Sequence, residues 1–262
     1  MPELPVHHHA TIDAIVTHTG RATLPFQRAQ RAEHHATAFW FNELLETTDE
    51  GEVVRQFLVT ADDPARRSDI AELTLRTDLG TPAPTADKLL MTGFAEGWST
   101  LDGLGVAVMP TGGLHAYTER KGWSWTVDEI TDGIAARAED VAALGEEPVP
   151  AYLLGHDVGA RGEREQAVVV GAVARAEDGV RWTGQLPAGC VGAPVFTAVP
   201  VEGDSFRLVC VGLALPGARG RHPVATFDRI RAALRTWAPD GDAPVPEQGK
   251  RRWWSRGRRP GR

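Results

Sequence analysis

An all-β fold, a barrel or a sandwich, is what this 262-residue sequence predicts. Three observations carry the prediction. Short apolar runs recur along most of the chain, they are rich in aromatic and β-branched residues, and Gly, Pro and Asp turns separate them where a βαβ protein would place helices. The clearest case is a hairpin pattern: Ala-Thr-Ala-Phe-Trp-Phe at 36–41, an acidic turn, then Val-Val-Arg-Gln-Phe-Leu-Val-Thr at 53–60. Further strands are expected at 70–76, 89–93, 106–109, 151–155, 166–174, 180–184, 195–201 and 206–215.

Ahead of these, residues 11–35 hold Ile12, Ile15 and Val16 and then a polar stretch, read as a short strand or helical turn and a connection. Residues 130–144 differ from the rest, with apolar positions at helical spacing and a stop at Gly145. Residues 224–237 put Phe227, Ile230, Ala233, Leu234 and Trp237 on one helical face, and Pro239 stops the pattern.

Length and composition set the class. Apolar residues make up 42% of the chain and charged residues 24%, as in a folded globular protein with a sizeable core. The start, Met1 to His9, has neither the basic head nor the apolar run of a secretory signal, and no apolar stretch reaches the roughly 20 residues needed to span a bilayer. The expectation is a soluble, cytoplasmic protein in which Cys190 and Cys210 are reduced thiols.

The net charge of −7 conceals an asymmetry: seven bases and no acid follow Glu247, so the tail carries +7 and the remainder −14. An acidic body argues against a broad nucleic-acid face on the folded part. The tail interleaves Arg251, Arg252, Arg256, Arg258 and Arg259 with Trp253 and Trp254. That pattern suits phosphate neutralisation with indole stacking or insertion, on nucleic acid or an anionic membrane surface. A solubilising tail is the competing reading.

Gly189-Cys-Val-Gly-Ala-Pro-Val-Phe196 stands before a long apolar strand, 208–215. It resembles the Gly-x-Ser-Gly-Gly-Pro-Val segment of trypsin-like serine proteases, with Val191 at the serine position and Ala193 at the second glycine. Phe57-Leu-Val-Thr-Ala-Asp-Asp-Pro64 resembles the family's strand ending in Thr-Ala-Ala-His, with Asp63 at the histidine. Gly105-Val-Ala-Val-Met-Pro110 resembles its Asp-Leu-Ala-Val-Leu-Pro segment, with Gly105 at the aspartate. The resemblance implies two six-stranded Greek-key β-barrels with a C-terminal α-helix. It divides the chain into an N-terminal segment (1–35), a first barrel (36–130), a connection with a helical pattern (131–150), a second barrel (151–223), a helix (224–238) and a basic tail (239–262).

By the same resemblance the triad positions Asp63, Gly105 and Val191 cannot perform its chemistry, because the triad needs a hydroxyl activated by an oriented imidazole. The resemblance then implies a pseudoprotease that binds an unidentified protein or peptide. Backbone N–H groups around Gly189, Cys190, Val191 and Gly192 would remain to hold a carbonyl, with Gln185 near a specificity-pocket floor. Two alternatives stay open: a peptidase using Cys190 or another nucleophile in a shifted register, with His34, His35 or another histidine as base, and a structural adaptor localised by its tail. No cofactor or metal is expected. His7, His8 and His9 read as solvated rather than metal-binding, and His115, His156 and His222 as loop histidines. The tryptophans are read as core mass, and Asp62, Asp63, Arg66 and Arg67 as a solvated, charge-balanced turn.

Overall fold

The computed structural model describes residues 8–30, 35–49, 51–159, 163–202 and 205–237. The first half runs α1 (His8–Thr19), β1 (Thr23–Arg28), β2 (Ala36–Thr48), β3 (Gly51–Ala61), α2 (Asp62–Arg66), β4 (Ile70–Thr74), β5 (Gly80–Thr81), β6 (Lys88–Thr92), β7 (Ser99–Leu101), β8 (Val106–Pro110), α3 (Gly112–Arg120) and β9 (Ser124–Trp125). The second runs α4 (Ala138–Ala143), β10 (Val149–Val158), β11 (Arg164–Ala176), β12 (Gly179–Thr183), β13 (Pro194–Pro200), β14 (Phe206–Ala214), β15 (Arg221–Thr226) and α5 (Phe227–Thr236).

Every ladder within the two main sheets is antiparallel. Seven strands of the first half form one curled sheet in the order β6-β4-β1-β2-β3-β8-β7, and six of the second close into a barrel, β10-β11-β12-β15-β14-β13. Closure rests on two residue pairs, Tyr152 with Phe196 and Leu153 with Val195, beside a register shift at Val195/Phe196. With α5 packed after the second barrel, the fold is all-β: a curled seven-stranded sheet and a closed six-stranded barrel, followed by a C-terminal helix.

The strand pattern is visible in burial. In β3 the end that lies against the second half, Gln56 to Ala61, is wholly buried, while its other end is exposed. Trp40 and Trp182 anchor separate interiors, Trp40 with Leu58 and Trp125, Trp182 with Leu153 and Val195. A third cluster joins the halves: Phe39, Phe41 and Phe57 meet Tyr152, Phe196, Phe227 and Ile230. The tryptophans therefore serve mainly as core. Burying aromatic side chains of this size from both halves in one cluster makes the two sheets a single packed unit.

Four sequence readings change. The stretch near residue 12 is a full helix, α1, and β1 pairs with both β2 and β4, so the first sheet begins ahead of residue 36. Thr11, Ile12, Ile15, Val16, Thr17 and Thr19 are poor helix formers by propensity. Burial of Ile15 and the contact of His8 Nδ1 with Tyr152 Oη at 3.1 Å hold them in place. His8 is thus buried, and His7 lies outside the described residues.

The helical pattern at 130–144 yields helix only from Ala138, because Ala136 N–H donates to Cys210 O and Cys210 N–H to Ile134 O, both at 2.8 Å. Arg231 donates to the Ala135 and Ala136 carbonyls and removes them from any helix. Residues 224–226, read as helix, finish strand β15 against β12 and β14. Finally, His115 lies on α3, His156 on β10 and His222 on β15, not in loops.

Candidate functional site at the barrel seam

A chain of contacts links the segments that hold Asp63, Gly105 and Val191. Val191 O accepts the Thr37 N–H at 2.9 Å, and Gly192 lies against Thr60, Ala61 and Thr37 so closely that a Cβ there would fall on Thr60 Oγ1. Ala61 leads into Asp62, whose N–H donates to Gly105 O at 2.9 Å. Gly105 in turn faces Leu215, and Gly192 N–H donates to Ala214 O at 2.9 Å, which returns the chain of contacts to its start. Gly192 holds φ of +81°, the left-handed conformation that glycine adopts without strain.

Val191 has no ionisable atom and packs, with Leu104 and Leu215, against the cluster that joins the halves. Asp63 points to solvent and pairs with Arg67 at 2.8 Å, both side chains 60% exposed. Asp62 is the buried one: it accepts from Thr100 Oγ1 at 2.7 Å and pairs with Arg66 at 2.9 Å. The charge balance expected of this segment holds, with α2 supplying the i,i+4 spacing, but the segment is a helix and Asp62 is buried rather than solvated.

The turn at 189–192 corrects one expectation. Residues 188–190 form a single 3₁₀ turn in which Cys190 N–H donates to Pro187 O at 2.8 Å and Val191 N–H to Ala188 O at 3.3 Å. Gly192 N–H is held by Ala214 O, and Gly189 and Cys190 are fully buried. The N–H groups of residues 190–192 are therefore paired inside the protein rather than presented to a ligand carbonyl. The physical reason is packing. Gly189 presses on the His156 carbonyl so tightly that a Cβ would overlap it, and its own carbonyl accepts from Thr37 Oγ1 at 2.6 Å.

Cys190 is buried with its Sγ 4.0 Å from His156 O, a backbone atom, and burial pushes its thiol up to about 11. Cys210 lies in a different cluster, and both cysteines are free. A thiol raised from the ordinary 8.5 to about 11 has roughly 10²-fold less thiolate near neutrality. Native Cys190 is thus expected to alkylate with iodoacetamide at least about 100-fold more slowly than free cysteine, and at the free rate once the protein is unfolded. Labelling of the folded protein faster than free cysteine would contradict this environment.

Gln185 sits in an open depression of about 570 Å³ with Asp157, Gly184, Leu186, Pro187, Gly220 and His222. Its backbone carbonyl accepts from Trp182 Nε1 at 3.2 Å. His222 Nδ1 accepts the Gly217 N–H at 3.0 Å, and partial burial lowers its basicity.

Behind the turn lies a polar bridge between the halves that the sequence did not announce. His156, wholly buried, has Nε2 3.1 Å from Thr23 Oγ1 and Nδ1 3.4 Å from Arg164 O. Gln166 Nε2 donates to Thr23 Oγ1 and to Gly20 O, and Arg164 pairs with Glu72 at 2.8 Å. Burial, with Arg76 and Arg164 nearby, holds the His156 imidazole down at about 3. It is neutral at physiological pH.

Among the described residues no group of three or more His, Cys, Asp or Glu side chains is placed to hold a metal ion. No helix among them is long and apolar enough to cross a membrane. Arg251, Arg252, Trp253, Trp254, Arg256, Arg258 and Arg259 lie outside the described residues, as does His34.

Three solved structures are among those to which this chain is similar. Deg5 is 12% identical with a TM-score of 0.49, over 89% of this chain and 94% of that one. The serine protease of a human pathogenic astrovirus is 11% identical with a TM-score of 0.40, over 79% and 90%. A catalytically active tobacco etch virus protease complexed with product is 10% identical with a TM-score of 0.47, over 83% and 78%. No protein-family model matches the sequence, and no curated protein does. These likenesses assign no role to any residue of this chain.

Proposed function

We propose that this protein is a peptidase-fold module without peptidase chemistry, acting by binding a protein or peptide partner. One observation carries the reading. Asp63 turns to solvent in an ion pair with Arg67, Gly105 has no side chain and Val191 packs against the cluster that joins the halves, so none of the three offers a nucleophile or an imidazole, while the N–H groups of residues 190–192 are paired internally. Cys190, the rival nucleophile, is enclosed, with its thiol raised and a backbone carbonyl rather than an imidazole beside it. Two unbridged cysteines suit a reducing, cytoplasmic setting.

The test is an activity screen of the full chain on casein and a peptide library, with fluorophosphonate and thiol-reactive probes in parallel. No turnover and no probe adduct are expected. Val191→Ser is expected to remain inert as well, because Asp63, at the position of the base, turns to solvent and pairs with Arg67. Reproducible cleavage abolished by Cys190→Ala would overturn the proposal and support a peptidase. The tail is a separable element of the reading: removing residues 249–262 is expected to abolish any salt-sensitive binding to RNA or anionic vesicles, and unchanged binding would remove the tail from it.

A further inference from the structure

The β2–β3 hairpin outruns the sheet it belongs to. Its strands stay paired through Glu46 with Val53 and Thr48 with Gly51, yet Leu45 is 56% and Val53 45% exposed. Between Leu44 and Val54 the sequence has four acids and no base, and Glu46, Asp49 and Glu52 are exposed. An arm that is both apolar and acidic is stable alone only at the cost of leaving apolar surface in water.

Strand alternation gives this arm a defined face. Val53, Arg55 and Phe57 lie on one side of β3, opposite Glu46, Glu43 and Phe41 of β2. Helix α5 delivers its end to that same face. Trp237 packs edge-on against Phe57 with ring centroids 5.5 Å apart, and the Arg55 guanidinium lies 5.4 Å over the Trp237 ring while donating to Leu234 O. Trp237 is therefore about 7 Å of strand short of Val53, the distance of two residues.

The residues that follow have the complementary chemistry. Twelve residues, 238–249, separate Trp237 from Lys250-Arg-Arg-Trp-Trp, and they can extend to about 40 Å, well beyond the roughly 13 Å from Arg55 to the hairpin tip. The tail carries +7 against −14 for the rest of the chain. Guanidinium groups pair with carboxylates, and indoles cover aliphatic surface while stacking on arginine.

We propose that the tail docks back on the β2–β3 hairpin of its own chain. Its arginines meet Glu46 on this face and reach Asp49 and Glu52 around the hairpin tip, and Trp253 and Trp254 cover Leu45 and Val53. This goes beyond the binding-module reading and does not depend on the seam being inert. In the docked state the basic tail is withheld from any polyanion until that polyanion displaces the hairpin.

The full-length protein tests it. Cys190 and Cys210 are buried, so Thr48→Cys at the exposed tip gives a single site for a bimane dye, which tryptophan quenches on contact. Trp237 is common to every protein compared. A short tether holds the tail at an effective concentration on the order of a millimolar, so even a contact that weak is half occupied. Emission is then expected to rise about twofold or more when Trp253→Phe and Trp254→Phe are introduced. The same rise is expected in high salt, or with Glu46→Lys, Asp49→Lys and Glu52→Lys, at any protein concentration. Equal emission with and without the two indoles overturns the proposal, whether or not the tail then binds RNA or vesicles. Quenching that grows with protein concentration also overturns it, because the occupant would be a second copy.

Discussion

Gly192→Ala is expected to destabilise the protein by about 3 kcal/mol or more, with a fall in Tm of many degrees. Two effects add. A left-handed φ of +81° costs a residue with a side chain roughly 1 kcal/mol, and a methyl group forced into filled space costs a further 1–3 kcal/mol. Here the space is filled by Thr60 Oγ1, with Ala61 N and Thr37 O each 2.8 Å from the new Cβ. None of the three can retreat easily. Thr60 Oγ1 donates to Thr37 O, Thr37 N–H is bonded to Val191 O, and Ala61 belongs to the β3–β8 ladder. Gly103→Ala isolates the first effect, because Gly103 has a similar φ of +70° and nothing within 4 Å of a new Cβ. Its loss is expected to stay near 1 kcal/mol. Urea unfolding of the two variants measures the difference, and equal losses would mean that the seam at Gly192 is not close-packed.

The second large effect is acid sensitivity centred on His156. A histidine ordinarily titrates near 6.5, and burial holds this one at about 3 in the folded protein. The folded state therefore resists a proton that the unfolded chain accepts. The stability contributed by neutral His156 is complete above about pH 6.5 and is lost progressively as pH falls toward 3, at about 1.4 kcal/mol per pH unit. By pH 4 the expected loss from this one group is on the order of 3 kcal/mol. The groups facing the ring agree with the direction: Thr23 and Gln166 are neutral, and Arg164 and Arg76 oppose a further positive charge.

His156→Gln keeps a polar partner for Thr23 and removes the titration. The parent and this variant, unfolded in urea from pH 7 to 4, are expected to converge in stability as pH falls. A constant difference across that range would show that His156 is not the acid-sensitive group.

How much of this was legible beforehand depends on the kind of residue. The strands around 36–41 and 53–60 were, because aromatic and β-branched residues at strand spacing report burial on a pleated sheet directly. So was the face of α5, where Phe227, Ile230 and Leu234 are all fully buried at helical spacing. Three short segments in order suggested Asp63, Gly105 and Val191, and contacts of Asp62, Gly105, Val191 and Gly192 link those segments while Asp63 itself turns to solvent.

Other features were not. Helix α1 is written in β-branched residues and exists because the second barrel covers it, so local propensity pointed the wrong way. The turn at 189–192 suggested available N–H groups, yet Cys190 and Val191 bond carbonyls within the turn itself, and the carbonyl that Gly192 finds, Ala214 O, depends on β14 closing against it. His156 looked like a loop histidine because nothing near it in sequence reveals Thr23, 133 positions away.

The sequence by itself determined the all-β class, the C-terminal helix, the charge split between body and tail, and the absence of a hydroxyl or imidazole at the three seam positions. These are properties of residue identity and short-range pattern. Tertiary structure alone decided that the turn faces inward, that Asp62 rather than Asp63 is buried, that a neutral histidine bridges the halves, and that Trp237 ends beside an acidic arm. Each of those depends on contacts between residues far apart in the chain, and packing, not local pattern, selects which of them form.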